Sequence, residues 1–251
     1  MLLKTPGTPA WLAARGRAGG IWTPEGMSGL VNWLPLAEGA GAADQLIPDL
    51  VSGAGATYRG DTAAVEATDP TWTAEGLSFD GGDYCNMSAG GFVTDGSGWT
   101  VMILANPTVN TGTLYCEGNA GDTKRVYLYL TAPGNLWIRV KNVVDTYNNV
   151  SYVGAGWRTL SAVVTGWTSV QLGVNGVAVG APGAITSMAG VTPTFRYIGC
   201  QAYQATRADF ISDPVGYFLA FNRALNTAEI AASHNYIRGR VAGRGITLPA
   251  A

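Results

Sequence analysis

VGYFLAFNRALNTAEIAASH, from Val215 to His234, is the stretch that decides the fold. Its first part reads as a strand. Val215, Tyr217, Leu219 and Phe221 share one face, and Gly216, Phe218, Ala220 and Asn222 share the other. Both faces are largely apolar, which predicts a central strand covered on both sides. A helix start follows. Asn226 is an N-cap candidate and Glu229 stands three residues later, the capping-box spacing. Leu225 and Ile230 are spaced as a hydrophobic staple. Helix-permissive residues run to Arg238, with Gly239 as the expected C-cap.

Outward from this stretch, short strands dominate. WTVMILANP (99–107) sets Trp99, Val101 and Ile103 against Thr100, Met102 and Leu104. RVYLYLTA (125–132) alternates Val126, Leu128 and Leu130 with Arg125, Tyr127 and Tyr129. NLWIRVKN (135–142) alternates Leu136, Ile138 and Val140 with Trp137, Arg139 and Lys141. TLSAVVTGW (159–167) groups Leu160, Ala162 and Val164. SVQLGVNGVAVG (169–180) is a hairpin, since Asn175-Gly176 is the strongest two-residue turn signal. That turn pairs Val174 with Val177 and Leu172 with Val179. FRYIGC (195–200) is a further strand, and QAYQATRADFISDP is an irregular insertion before the closing strand. The 35 glycines and 13% charged residues fit many strands with glycine turns and exclude a helical bundle.

Four motifs resemble laminin-G-like, concanavalin A-like jelly rolls of the kind found in bacteriophage virion proteins. They are GLVNWLPLAEGAG opening at Gly29, GLSFDGGDY (76–84), GWRTLSAVV with VQLGVNGVAV, and GYFLAFNRALNTAEI. The resemblance spans roughly residues 29–236. It implies an all-β fold: a two-sheet antiparallel jelly-roll sandwich with one short C-terminal helix. Extended terminal arms complete the expected layout: residues 1–28, a domain of 29–238, and a basic arm of 239–251.

The charge is uneven along the chain. Residues 1–24 carry Lys4, Arg15 and Arg17 without an acid, and residues 230–251 carry Arg238, Arg240 and Arg244 without an acid. The body between them holds 9 basic and 17 acidic residues. Such ends are either solvated tails or arms that dock on an acidic neighbouring subunit. Trp11 and Trp22 in the N-terminal arm argue for packing against something. Nucleic acid is not an expected partner, because no dense Lys/Arg cluster or recognition motif accompanies the arms. Neither a secretory signal nor an apolar run long enough to span a membrane is read from the sequence. Cys85, Cys116 and Cys200 are read as free, buried thiols, which suits a reducing compartment.

Catalysis is not expected. A glycosidase on this type of fold needs two carboxylates facing one sugar bond, and no two acids here stand two residues apart. There is no G-x-S-x-G elbow, and the single histidine, His234, is read as a packing residue of the helix. The resemblance implies calcium as a possible cofactor at rim loops. Asp80 and Asp83 in the FDGGD turn, and Asp209 and Asp213 in the late loop, are the weak metal candidates; the other reading is that Asp80 and Asp83 satisfy turn amides.

Tyr127, Tyr129 and Trp137, beside Arg125, Arg139 and Lys141, make a candidate ligand or partner surface, with Tyr147, Asn148 and Asn149 in a following loop. The same residues could instead be a second buried face. Two functions remain at this point. One is a non-enzymatic structural, decoration or attachment protein of a bacteriophage particle, made in the host cytoplasm and assembled as an oligomer. Its contacts would run through Trp11, Arg15, Arg17, Trp22, Arg238, Arg240 and Arg244. The other is a lectin-like carbohydrate-binding module for adhesion at a cell surface, with or without calcium.

Overall fold

A computed structural model of the chain describes residues 26–38, 45–51, 57–87, 98–108, 111–119, 124–132, 134–142, 144–151, 155–187, 193–203 and 206–251. Trp11, Arg15, Arg17 and Trp22 lie outside the described residues.

The strands are, in chain order, β1 (Leu30–Leu34), β2 (Leu46–Ile47), β3 (Thr57–Arg59), β4 (Thr71–Trp72), β5 (Leu77–Ser78) and β6 (Cys85–Asn86). Longer ones follow: β7 (Gly98–Ala105), β8 (Gly112–Gly118), β9 (Lys124–Thr131), β10 (Asn135–Asn142), β11 (Val144–Ser151) and β12 (Arg158–Thr165). The remainder are β13 (Ser169–Val174), β14 (Val177–Ala184), β15 (Phe195–Ile198), β16 (Gln201–Tyr203), β17 (Thr206–Ala208) and β18 (Val215–Phe221), and then helix α1 (Thr227–Val241). They form two eight-stranded antiparallel sheets. Sheet A runs β14-β13-β12-β7-β18-β5-β4, with β1 also on β18; sheet B runs β11-β10-β9-β8-β15-β6-β3-β2. The pair β16-β17 stands alone.

The alternation read in each long strand sets the layers. Trp99, Val101 and Ile103 of β7, Leu160, Ala162 and Val164 of β12, and Phe218 and Ala220 of β18 face sheet B. Val126, Leu128 and Leu130 of β9 and Leu136, Ile138 and Val140 of β10 meet them from sheet B. The opposite face of sheet A is covered as well. Met102, Leu104, Tyr217, Leu219 and Phe221 pack beneath Leu225, Ile230, Ile237 and Val241 of the helical segment. All seven residues of β18 are therefore buried. Val215 departs from the expected face: a register irregularity between Val215 and Tyr217 turns it into the sandwich core.

The helix start is built as its spacing predicts. Asn226 Oδ1 accepts from the Glu229 amide at 3.0 Å, and Glu229 Oε2 accepts from the Asn226 amide at 2.9 Å. Leu225 and Ile230 are buried in one cluster. The helix does not stop at Gly239. It runs to Val241, because Ile237 and Val241 both bury against sheet A, and Gly239 sits on the open side with nothing within 4 Å. Gly245, at φ 78°, ends the following 3-10 turn in the left-handed region.

Asn175 and Gly176 both take positive φ, 53° and 80°, as a type I′ turn demands. The register is Val174 to Val177 and Leu172 to Val179. Two readings are corrected. Tyr147, Asn148 and Asn149 are not in a loop but in β11, paired along its length with β10. The insertion is not wholly irregular; it contains the β16-β17 hairpin. No helix among the described residues is long and apolar enough to cross a membrane.

Candidate functional site

On sheet B the alternation that sends Val126, Leu128, Leu136 and Ile138 inward sends the intervening residues to the outer face. The register then aligns them in rows across three strands. Tyr129 stands opposite Trp137, and Trp137 opposite Asn149. Tyr127 stands opposite Arg139, and Arg139 opposite Tyr147. Trp137 stacks on Tyr129, with centroids 6.1 Å apart and planes inclined by 25°. Tyr147 meets Trp137 edge-on at 6.3 Å and 83°. The Arg139 guanidinium lies 5.8 Å from the Tyr127 ring centre and 5.2 Å from that of Tyr147. These contacts hold the cation in one place without burying it fully.

The β16-β17 hairpin folds over part of this face. Arg125 Nη1 donates to the Ala202 carbonyl at 3.1 Å, and the Arg125 guanidinium covers the Tyr127 ring at 4.8 Å. Tyr127 is consequently only 1% exposed. Of the expected surface residues, Tyr127 is thus removed from solvent. Tyr129, Trp137, Arg139 and Lys141 remain half-buried on the open part, beside exposed Asn149 and Tyr147, the latter 46% exposed. Asn148 has a different role: its amide donates to the Val170 carbonyl at 3.2 Å and ties β11 to sheet A.

A latch fixes the hairpin's second strand, at Arg207, which pairs with Ala202. Arg207 Nη2 contacts both Asp61 oxygens at 2.5 and 2.6 Å. Its guanidinium lies 4.2 Å over Tyr84 and 5.0 Å over Tyr197. The hairpin therefore walls the open aromatic corner on one side. Nothing in the residue pattern of QAYQATRADF announces this, since Arg207 finds its partners 146 and 10 residues away.

The calcium candidates are otherwise engaged. Asp83 accepts from the Asp80 amide at 3.0 Å, and Asp80 from the Gly82 amide at 2.9 Å, so both serve the turn. Burial, with the neighbouring Asp80 charge adding to it, raises the Asp83 carboxyl from 3.8 to about 6. Asp213 Oδ1 accepts from the Thr108 amide at 2.9 Å and its hydroxyl at 2.7 Å, and Asp209 accepts from the Gln201 amide group. Among the described residues no group of three or more His, Cys, Asp or Glu is placed to hold a metal ion.

Two of the C-terminal arginines face their own domain. Arg240 pairs with Glu38, its Nε at 2.9 Å, and Arg244 donates to the Ala37 carbonyl. Ile246 and Leu248 are buried with the helix, and His234 Nε2 donates to the Pro249 carbonyl at 2.8 Å. The expected arm of 239–251 thus begins within the helix and folds back onto the body. All three cysteines are buried, and burial pushes their thiols up, so they are not poised nucleophiles.

No family model matches the sequence, and no curated protein does. Solved structures do. The binding domain of botulinum neurotoxin DC, solved in complex with rat synaptotagmin II, matches 83% of this chain and 52% of its own, at a TM-score of 0.57 and 8% identity. The CBM40 module of the Ruminococcus gnavus IT-sialidase, solved with α2,3-sialyllactose, matches 55% of this chain and 82% of its own, at a TM-score of 0.46 and 17% identity. The NanB sialidase of Streptococcus pneumoniae matches 55% of this chain and 24% of its own, at 0.48 and 13%. Likeness at these identities shows architecture alone. The chain has a two-sheet antiparallel β-sandwich fold, one with a C-terminal helix on the outer face of sheet A.

Proposed function

We propose that the chain is a non-catalytic binding module that takes a glycan on the open part of sheet B's outer face. One observation carries this reading: Trp137 stacked on Tyr129, with Tyr147 standing edge-on beside them. The apolar C–H face of a sugar ring packs against such a ring, and its hydroxyls need donors and acceptors at the margin. Arg139, Lys141 and Asn149 supply these from the same face. The side chains stand on paired strands rather than on loops, so the corner is preorganised. Its described side chains include no pair of carboxylates of the kind glycoside hydrolysis requires, nor the carboxylate-rich set that calcium prefers.

Assembly into a virus particle through basic arms is the competing reading. Arg240 and Arg244 are engaged within the chain, so no observation on the described residues favours that reading over the glycan one.

The test is a glycan array probed with the wild-type protein and with Trp137→Ala, both checked for a folded far-ultraviolet spectrum. The wild type retains a defined set of glycans, and the variant loses them by at least tenfold in signal. A wild-type profile without any glycan, or one unchanged in the variant, overturns the reading.

A further inference from the structure

We propose a second binding site, on the opposite sheet and independent of the glycan face: a cleft for a small uncharged molecule of one ring bearing a hydroxyl group. Helix α1 packs along the part of sheet A formed by β7 and β18, and His234 carries it to Thr159 of β12 and to Gly176 of the β13-β14 turn, while β14 is exposed over much of its length. At the step between the helix and β14 lies a cleft of about 120 Å³. Val163, Ala178, Leu225 and Ile230 make its apolar walls, with Ser161 and Gln171 among its polar lining.

Three features distinguish it from a mere gap in packing. Ser161 is only 3% exposed and lines the cleft, so it sets a hydroxyl-bearing residue in a largely apolar wall. A serine hydroxyl can give one hydrogen bond and accept others, so a ligand hydroxyl can pair with it. Opposite Ser161 in the β12-β13 register stands Gly173, and a Cβ there would lie 2.5 Å from Ser161 Oγ. Glycine at this position keeps the space before the hydroxyl open. The Gln171 carboxamide nitrogen donates to the carbonyls of Leu172 and Val179 at 2.9 Å each, which fixes the side chain and leaves Oε1 as an acceptor.

The lining residues carry no charge, so neither a carboxylate nor an ammonium ion would be compensated there. The volume is close to that of an apolar cavity that holds one benzene ring, roughly 150 Å³. The ligand class follows: a single apolar ring with one hydroxyl that engages Ser161.

Amide ¹H–¹⁵N spectra of the full chain, titrated separately with phenol, toluene and benzoate, test the site. Phenol shifts the amides of Ser161, Gly173 and Thr227 to saturation. Toluene, of the same size but without the hydroxyl, binds about fivefold more weakly, the worth of one hydrogen bond. Ser161→Ala weakens phenol by the same factor, and benzoate does not saturate. Ala178→Leu, a change at the exposed rim, abolishes the phenol shifts while leaving the rest of the spectrum in place. The proposal is overturned by absence of saturating shifts, by equal affinity for phenol and toluene, or by phenol binding that survives Ala178→Leu.

Discussion

Arg196 Nε and Glu117 Oε2 lie 3.1 Å apart inside the sandwich, with side chains 3% and 0% exposed. Tyr115 donates its hydroxyl to the same carboxylate oxygen. Arg196 Nη2 reaches across to Asn32 Oδ1 at 2.7 Å, and Asn32 Nδ2 donates to Asp49 Oδ2 at 2.6 Å. This chain of bonds ties β8 and β15 of sheet B to β1 of sheet A. Removing one charge strands the other where water cannot reach it. Arg196→Met should cost about 3–5 kcal/mol in urea unfolding, and adding Glu117→Met should return part of that loss. A double variant less stable than the single one would contradict the account.

His234 is buried, with Nδ1 2.8 Å from the Thr159 hydroxyl and Nε2 2.8 Å from the Pro249 carbonyl. The carbonyl can only accept, so Nε2 carries the proton and Nδ1 accepts from Thr159. Burial lowers the folded pKa below 6.5. The unfolded chain therefore takes up this proton first, and the contribution of His234 is full above pH 6.5 and lost as the pH falls. Melting temperatures of wild type and His234→Gln, taken from pH 7.5 to 5.5, should converge toward the acid end. A constant difference would place the effect elsewhere.

Asp83 acts with the opposite sign. Its folded pKa of about 6 stands above the ordinary carboxyl value of 3.8, so the folded state binds the proton more readily between those values. Its penalty is full near neutrality and relieved as the pH falls through 6. Asp83→Asn should stabilise the protein by about 1–2 kcal/mol at pH 7.5 and by little near pH 4. An Asn variant that is destabilised at pH 7.5 would show that the carboxylate itself holds the Asp80–Asp83 turn.

The Arg207–Asp61 pair is part-exposed, so its global worth is small, about 1 kcal/mol or less. Its local effect should be larger. Arg207→Ala releases the anchor of β17, and hydrogen exchange should quicken at residues 201–203 and 206–208 while β9 and β10 keep their protection. Unchanged exchange in the hairpin would mean that the Arg125–Ala202 bond alone secures it.

Much of the fold was legible because local and long-range demands agree in it. β18 shows two apolar faces and has two apolar layers to meet. Asn175-Gly176 sets a register that the flanking valines also require. β11 was not legible: Asp145, Asn148 and Asn149 have poor strand propensity, and pairing with β10 overrides it. The open aromatic corner was half legible. Alternation placed Tyr129, Trp137 and Arg139 on one face, but Tyr127 shares that alternation and is buried. Its cover is the Arg125 guanidinium, held by the Ala202 carbonyl, whose position no periodicity reports. The helix overran Gly239 for a similar reason, since burial of Val241 outweighs the cost of one exposed glycine.

The most direct measurement is amide shift mapping of the protein with the glycan that ranks first on the array. The account predicts the largest shifts at Tyr129, Trp137, Arg139, Tyr147 and Asn149, all on the open part of sheet B. Shifts centred on sheet A, on the helix or on the loops, or no shifts at saturating glycan, would contradict it.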